Sequence, residues 1–171
     1  NQHRMLAVAR APLSQRIDVL RRIHTLDQAN PTWEADLRDY ETERCTQLRT
    51  EARSAVKSRN VKKLAALERE VTTGQWLLPP KKKLISLIQD AHARARVDQV
   101  RQELPKVEEQ LTAAFAELNE EQGRRTRKRW ESLQLIANLS PDDPIAEQAA
   151  PALDWLAELD EKEADEDAFG I

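Results

Sequence analysis

The sequence predicts an all-α fold: an elongated antiparallel helical bundle or coiled coil of three long arms and a short N-terminal helix. The first observation behind this prediction is an apolar seam whose residues recur at spacings of three and four, as in a heptad repeat. Its members are Val97, Val100, Leu104, Val107, Leu111, Ala114 and Leu118. Charged residues make up 33% of the 171 residues and aromatic residues only 4%, which is typical of a large surface over a thin core. With only 3 glycines, the chain also lacks the tight turns that strands and α/β loops need.

The short N-terminal helix is predicted over residues 12–27, because Pro12 suits a first helical turn and one apolar face follows it. The first arm is predicted over residues 32–73, with a pause near residues 58–60 and Gly74 closing its last turn. Its apolar stripe is expected to cover the core, with charged residues such as Glu41 on the opposite face.

The second arm is the longest and is predicted over residues 80–138, where the seam lies. Pro105 is expected to kink this helix without ending it, because the seam keeps its phase across the proline. The third arm, residues 144–160, follows a turn-forming segment rich in proline and aspartate. Residues 161–171 are predicted to be an acidic, disordered tail. Residues 1–160 are thus expected to form a single elongated domain.

The net charge of −3 conceals a division along the chain. Residues 138–171 contain 11 acidic residues and one basic residue, whereas the remaining stretch contains 26 basic and 19 acidic residues. Two basic clusters are candidates for binding a membrane or another anionic partner, because like charges so close together repel one another unless an anion is near. They are a lysine triplet, Lys81, Lys82 and Lys83, and a basic run, Arg124, Arg125, Arg127, Lys128 and Arg129, with Arg59, Lys62 and Lys63 as a smaller third group.

Motifs for catalysis are missing from the sequence. It contains no phosphate-binding glycine loop, no paired cysteines, no His-Glu-x-x-His and no nucleophile elbow. The single Cys45 excludes an intramolecular disulfide and is predicted to be a small core residue. The three histidines are spread over separate helices, so no metal site is expected. We therefore predict that the protein is not an enzyme and uses no cofactor.

Segments for targeting or for crossing a membrane are missing as well. A spanning helix needs a run of about 18 or more apolar residues, and no such run occurs. No signal peptide is visible either. We expect a cytoplasmic protein that can attach to a membrane as a peripheral protein. Because the chain begins at Asn1 without Met, we also expect it to be a piece of a longer protein.

The combination of the seam, Pro105 and the two basic clusters resembles BAR-type domains. Members of that family are curved dimers of three-helix coiled coils that bind and shape membranes. The resemblance is architectural and covers residues 32–160 in outline. It implies a homodimer that forms through the seam, with the basic clusters facing anionic lipid. A fainter, local resemblance relates segments 26–33 and 139–146 to the turns between tetratricopeptide repeats, because in both a helix ends and a proline opens the next helix.

Three functions follow from these observations. The first is a non-enzymatic scaffold that dimerises through the seam and binds or shapes anionic membranes. The alternative is a protein–protein interaction module, spectrin-like or repeat-like, in which the basic clusters serve only for solvation. The third function is a coiled coil associated with nucleic acid. It ranks last because the low sequence pI and the few aromatic residues for stacking on bases argue against it. The sequence leaves open whether the seam pairs within one chain or between two chains.

Overall fold

The computed structural model describes residues 11–169, except for the side chains of residues 166 and 169. These residues form six α-helices and no strand. The helices are α1 (Leu13–Leu26), α2 (Pro31–Lys57), α3 (Val61–Thr73), α4 (Lys82–Ala116), α5 (Glu120–Ala137) and α6 (Pro144–Phe169). The all-α prediction is confirmed, and α1 lies within one residue of its predicted bounds.

The chain divides into two compact units, whereas the sequence predicts a single domain. The N-terminal unit extends to Ala95 and the C-terminal unit begins at Arg96, so α4 contributes to both. This division follows from a change of phase along α4. Leu84 and Ile88 lie in a core of the N-terminal unit, whereas the seam starts a new stripe that packs in the C-terminal unit.

Two hydrophobic cores stabilise the N-terminal unit. The first joins α1 to α2 and contains Leu13, Ile17, Leu20 and Leu37. The second joins α2, α3 and the start of α4 and contains Leu48, Ala52, Leu67, Val71, Leu84 and Ile88. The predicted pause near residues 58–60 is the end of α2 and the start of α3, where the Asn60 side chain accepts the backbone N–H of Lys63 at 2.9 Å.

The seam contributes to the core of the C-terminal unit. Its central residues, Val100, Leu104, Val107 and Leu111, are buried in one cluster with residues of α5 and α6. These partners are Trp130, Leu133, Ala137, Ala149, Ala152 and Leu156. Ala114 is buried as well, Val97 is half-buried, and Leu118 is 67% exposed. Five of the seven seam residues are therefore buried within a single chain.

The long arm predicted over residues 80–138 is two helices. α4 continues through Pro105 but ends at Ala116, and Leu118 adopts a left-handed backbone with a φ of 51°. The Asn119 side chain then caps α5 by accepting the backbone N–H of Gln122 at 3.1 Å. Acidic residues in the first turn of α5 also favour a helix start at this point. This cap explains a break that the periodicity of the seam does not reveal.

α6 is longer than the predicted third arm. It runs from Pro144 to Phe169 and so covers most of the segment that the sequence predicts to be disordered. Carboxylates at positions 160 and 163 form ion pairs with α5, which offset part of the repulsion within this acidic stretch. Residues 1–10 of the predicted domain and residues 170–171 of the predicted tail lie outside the described residues.

Replacing Leu111 by Ala is expected to lower the free energy of unfolding by about 2–5 kcal/mol, because truncating a fully buried leucine leaves a cavity. The neighbouring Gln110 is exposed, so Gln110→Ala is the matched control and should change this free energy by less than about 0.5 kcal/mol. Urea unfolding followed by circular dichroism measures both variants. Equal effects of the two substitutions would show that the seam does not face the core.

Candidate functional site

The basic run on α5 is largely neutralised by carboxylates of its own unit. Arg124 forms ion pairs with Asp160 and Glu163 of α6, at N–O distances of 2.7 and 2.6 Å. Arg127 pairs with the second carboxylate oxygen of Asp160 at 2.7 Å. The basic run and the acidic end of the chain, which are separate features of the sequence, are therefore two sides of one contact.

The remaining cations of the basic run are paired less completely. Arg125 pairs with Glu121 one turn earlier on α5, but its side chain stays 72% exposed. Arg129 pairs with Glu103 of α4. Lys128 is exposed and has no carboxylate partner among the side chains that the structure describes. Arg125 and Lys128 are thus the members of the run that a partner could reach most easily.

The lysine triplet lies at the start of α4, in the N-terminal unit, and all three lysines are exposed. Within the described part of the chain, none of them forms an ion pair with a carboxylate. Two leucines near the triplet in sequence are also partly exposed, Leu78 at 39% and Leu87 at 37%. The triplet therefore combines unpaired positive charge with accessible apolar side chains.

A buried carboxylate holds the connector that leads to the lysine triplet. Glu41 is fully buried and accepts the backbone N–H groups of Leu77 and Leu78 at 3.1 and 2.8 Å. Arg21 of α1 pairs with the same carboxylate at 3.1 Å, and its guanidinium lies over the ring of Trp76. A buried charge is tolerated when its hydrogen bonds are satisfied in this way. The connector between α3 and α4 is therefore fixed to α2.

A second buried charge, Arg44, joins α2 to α3. Its guanidinium donates two hydrogen bonds to Glu70, at 2.7 and 2.8 Å, and one to Glu51 at 2.6 Å. The hydrogen bonds to Glu70 raise the pKa of Arg44 above its usual value, against the opposing effect of burial. Burial alone would raise the pKa of Glu51, but hydrogen bonds from Arg44 and Lys63 lower it. Arg44 and Glu51 are therefore both charged at neutral pH.

Sequence reasoning missed both buried charges. On the sequence, Glu41 belongs to the charged face of α2, whereas the structure buries it together with Arg44. The signal that could reveal them is their spacing. Leu37, Glu41, Arg44 and Leu48 recur at spacings of four and three, so the two charged residues occupy positions of the core stripe.

Cys45 lies beside this network, is half-buried and packs against the second core of the N-terminal unit. Burial and the neighbouring carboxylates Glu41 and Glu70 raise the pKa of its thiol, which disfavours the reactive thiolate. Among the described residues, no group of three or more His, Cys, Asp or Glu is arranged to hold a metal ion. No helix within residues 11–169 has the length and apolarity needed to cross a membrane.

Comparisons with known proteins give no match: no family model, no curated protein and no solved structure is significantly similar to this chain. The resemblances to BAR-type domains and to tetratricopeptide turns stay untested by these comparisons. The functional proposal for this protein therefore rests on the placement and pairing of its own charged residues.

Glu41→Ala is expected to release the connector, because Arg21 and the amides of Leu77 and Leu78 lose their acceptor. Each buried donor left unpaired costs about 1–3 kcal/mol, so hydrogen exchange at the two amides should become faster. Glu43→Ala is the matched control, since Glu43 is exposed on the same helix. Hydrogen–deuterium exchange measures both variants, and unchanged exchange at both amides in Glu41→Ala would contradict the anchoring role.

The double variant Asp160→Asn, Glu163→Gln is expected to bind immobilised heparin more tightly, because Arg124 and Arg127 lose their carboxylate partners. The control Glu161→Gln, Asp165→Asn changes the net charge equally at exposed positions of the same helix. The expected result is elution at a higher salt concentration than the control. Elution of both variants at the same salt concentration would mean that these carboxylates do not shield the basic run.

Proposed function

We propose that the protein is a non-enzymatic scaffold whose N-terminal unit binds an anionic membrane surface as a peripheral, cytoplasmic protein. The observation that carries this proposal is the lysine triplet, which is exposed and unpaired among the described residues. Anionic headgroups attract each nearby cation by roughly 1 kcal/mol. Leu78 and Leu87 would add apolar contact at the boundary between headgroups and acyl chains.

The distribution of charge along the chain supports a membrane contact by the N-terminal unit. Residues 11–95 contain 16 basic and 11 acidic residues, a balance of +5, whereas residues 96–169 contain 9 basic and 19 acidic residues, a balance of −10. An anionic surface would attract the first unit and repel the second. The proposed membrane contact therefore lies with the lysine triplet and not with the basic run.

The position of the triplet is unfavourable in the free molecule. α4 begins at Lys82, where the helix macrodipole places partial positive charge, so the cations repel both the dipole and one another. A misplaced cation at a helix terminus costs about 0.3–1 kcal/mol. An anionic headgroup would remove this cost, and the connector fixed by Glu41 would hold the lysines in place for it.

A BAR-like protein would also dimerise and shape membranes. These two proposed properties rest on the resemblance to BAR-type domains alone. The central seam residues, which would form the dimer, are buried with residues of α5 and α6 of the same chain. A dimer through the seam would require these helices to move away from it. The homodimer stays a prediction.

A second candidate is a helical protein–protein interaction module. The pairing of Arg124 and Arg127 with Asp160 favours it, because this contact gives the basic run a structural role within the C-terminal unit. In that case the exposed lysines would serve for solvation. The two candidates differ in whether lipid binding depends on the lysine triplet.

Replacing the lysine triplet by Gln is expected to weaken binding to phosphatidylcholine vesicles that contain phosphatidylserine by about a hundredfold, because three cations at roughly 1 kcal/mol each are lost. The control removes three charges from the basic run instead, through Arg125→Gln, Arg127→Gln and Arg129→Gln. Co-sedimentation at low salt measures the affinity, and circular dichroism checks that each variant keeps its helices.

The control variant is expected to bind the vesicles nearly as well as the natural chain. Failure of the natural chain to bind at low salt would contradict the membrane function. Loss of binding in the control alone would assign the contact to the basic run. Stronger binding to duplex DNA than to the vesicles at the same salt concentration would favour the nucleic-acid function.

A further inference from the structure

The end of the N-terminal unit formed by α2 and α3 carries the densest unpaired positive charge outside the lysine triplet. Residues 49–63 contain six basic residues and one acidic residue. The acidic residue, Glu51, is already held by Arg44 and Lys63, at 2.6 and 2.7 Å. The other five cations have no carboxylate partner in the described part of the chain. They form a basic corner that consists of Arg49, Arg53, Lys57, Arg59 and Lys62.

The geometry of the corner spreads these charges over a surface. Arg49, Arg53 and Lys57 follow one another at intervals of four residues, so they lie along one side of α2 over about 12 Å. Arg59 lies in the turn and Lys62 in the first turn of α3. All five are exposed. An array of this length suits several headgroups of a lipid surface better than it suits one enclosed phosphate.

The backbone at Arg59 gives an independent reason to assign a role to its charge. Its φ of 52° lies in the left-handed region, which glycine adopts without strain and a residue with a Cβ does not. The turn is fixed by the Asn60 backbone N–H, which donates to the Ala55 carbonyl at 2.9 Å. A cation therefore occupies a position where glycine would stabilise the fold better. Beside it, Val56 is 49% exposed and can contact lipid.

We infer that the basic corner is a second contact for anionic lipid, in addition to the lysine triplet. This inference rests on the proposed membrane function and deepens it. Two separated basic surfaces on one unit would restrict the orientation of that unit on the bilayer. The free energies of the two contacts would add when both reach the same surface.

The test compares two triple variants of the full chain on vesicles of phosphatidylcholine and phosphatidylserine. The corner variant, Arg53→Gln, Lys57→Gln, Lys62→Gln, removes three of the five charges of the basic corner. Arg22→Gln, Arg69→Gln, Arg94→Gln removes the same charge from exposed positions elsewhere in the N-terminal unit. The corner variant is expected to bind about a hundredfold more weakly than the natural chain, and the control to change affinity by less than about threefold.

Arg59→Gly separates binding from folding. It is expected to raise the midpoint of thermal unfolding, because glycine relieves the left-handed strain, and at the same time to weaken vesicle binding. If Arg59 had only a structural role, the substitution would change the unfolding midpoint and the vesicle affinity in the same direction. Soluble glycerophosphoserine at the same headgroup concentration is expected not to compete with the vesicles, whereas competition would indicate a site for one free headgroup and overturn the surface contact.

The outcomes distinguish this inference from the proposed function. If the corner variant binds like its control while loss of the lysine triplet abolishes binding, the second contact is wrong and the membrane function stands. If the natural chain does not bind at low salt, both are wrong. If binding of the corner variant to duplex DNA falls more steeply than its binding to vesicles, the corner is a contact for nucleic acid and the inference is overturned.

Discussion

The ion pairs of Asp160 with Arg124 and Arg127 determine how much of the basic run a partner can reach. One carboxylate takes up two guanidinium groups, at 2.7 Å each, and Glu163 adds a third contact one turn later. An exposed pair of this kind is worth at most about 1 kcal/mol alone, but neighbouring pairs on two packed helices form a network. The network keeps Asp160 and Glu163 of α6 against α5 and occupies Arg124 and Arg127 of the basic run.

In the N-terminal unit, the buried charges Glu41 and Arg44 are paired inside the unit, whereas the lysine triplet and the basic corner are exposed. Glu41 and Glu70 hold Arg21 and Arg44, and these pairs fix the connector and the α2–α3 packing. Buried pairs are weak contributors to net stability, but losing one partner leaves an uncompensated charge and is strongly destabilising. Their consequence for function is electrostatic. With these carboxylates occupied, the lysine triplet and the basic corner face solvent without internal partners.

The sequence was sufficient for the fold class and for the central seam residues. Heptad spacing identified Val100 to Leu111 because one buried stripe repeats over several turns. It failed at Leu118, where the cap at Asn119 starts a new helix although an apolar residue still occupies the expected phase. Glu41 was also missed, because a charged residue is normally assigned to the solvent face, although its spacing places it on the core stripe.

The sequence also did not show which basic residues are accessible to a partner, because their carboxylate partners lie far away along the chain. Asp160 and Arg124 are 36 positions apart, and local charge counts treat them as an acidic tail and a basic cluster. Only their approach across α5 and α6 shows that they neutralise each other. In the lysine triplet and in the basic corner, by contrast, at least three neighbouring cations have no carboxylate partner among the described residues.

The proposed membrane function requires that the positive charge available to an anionic surface lie mainly in the N-terminal unit. Amide chemical shifts of the full chain, recorded while nanodiscs that contain phosphatidylserine are added, test it most directly. Signals from residues 49–62 and 81–83 are expected to change first, while those from residues 124–129 stay unchanged. Changes confined to residues 124–129 would contradict it.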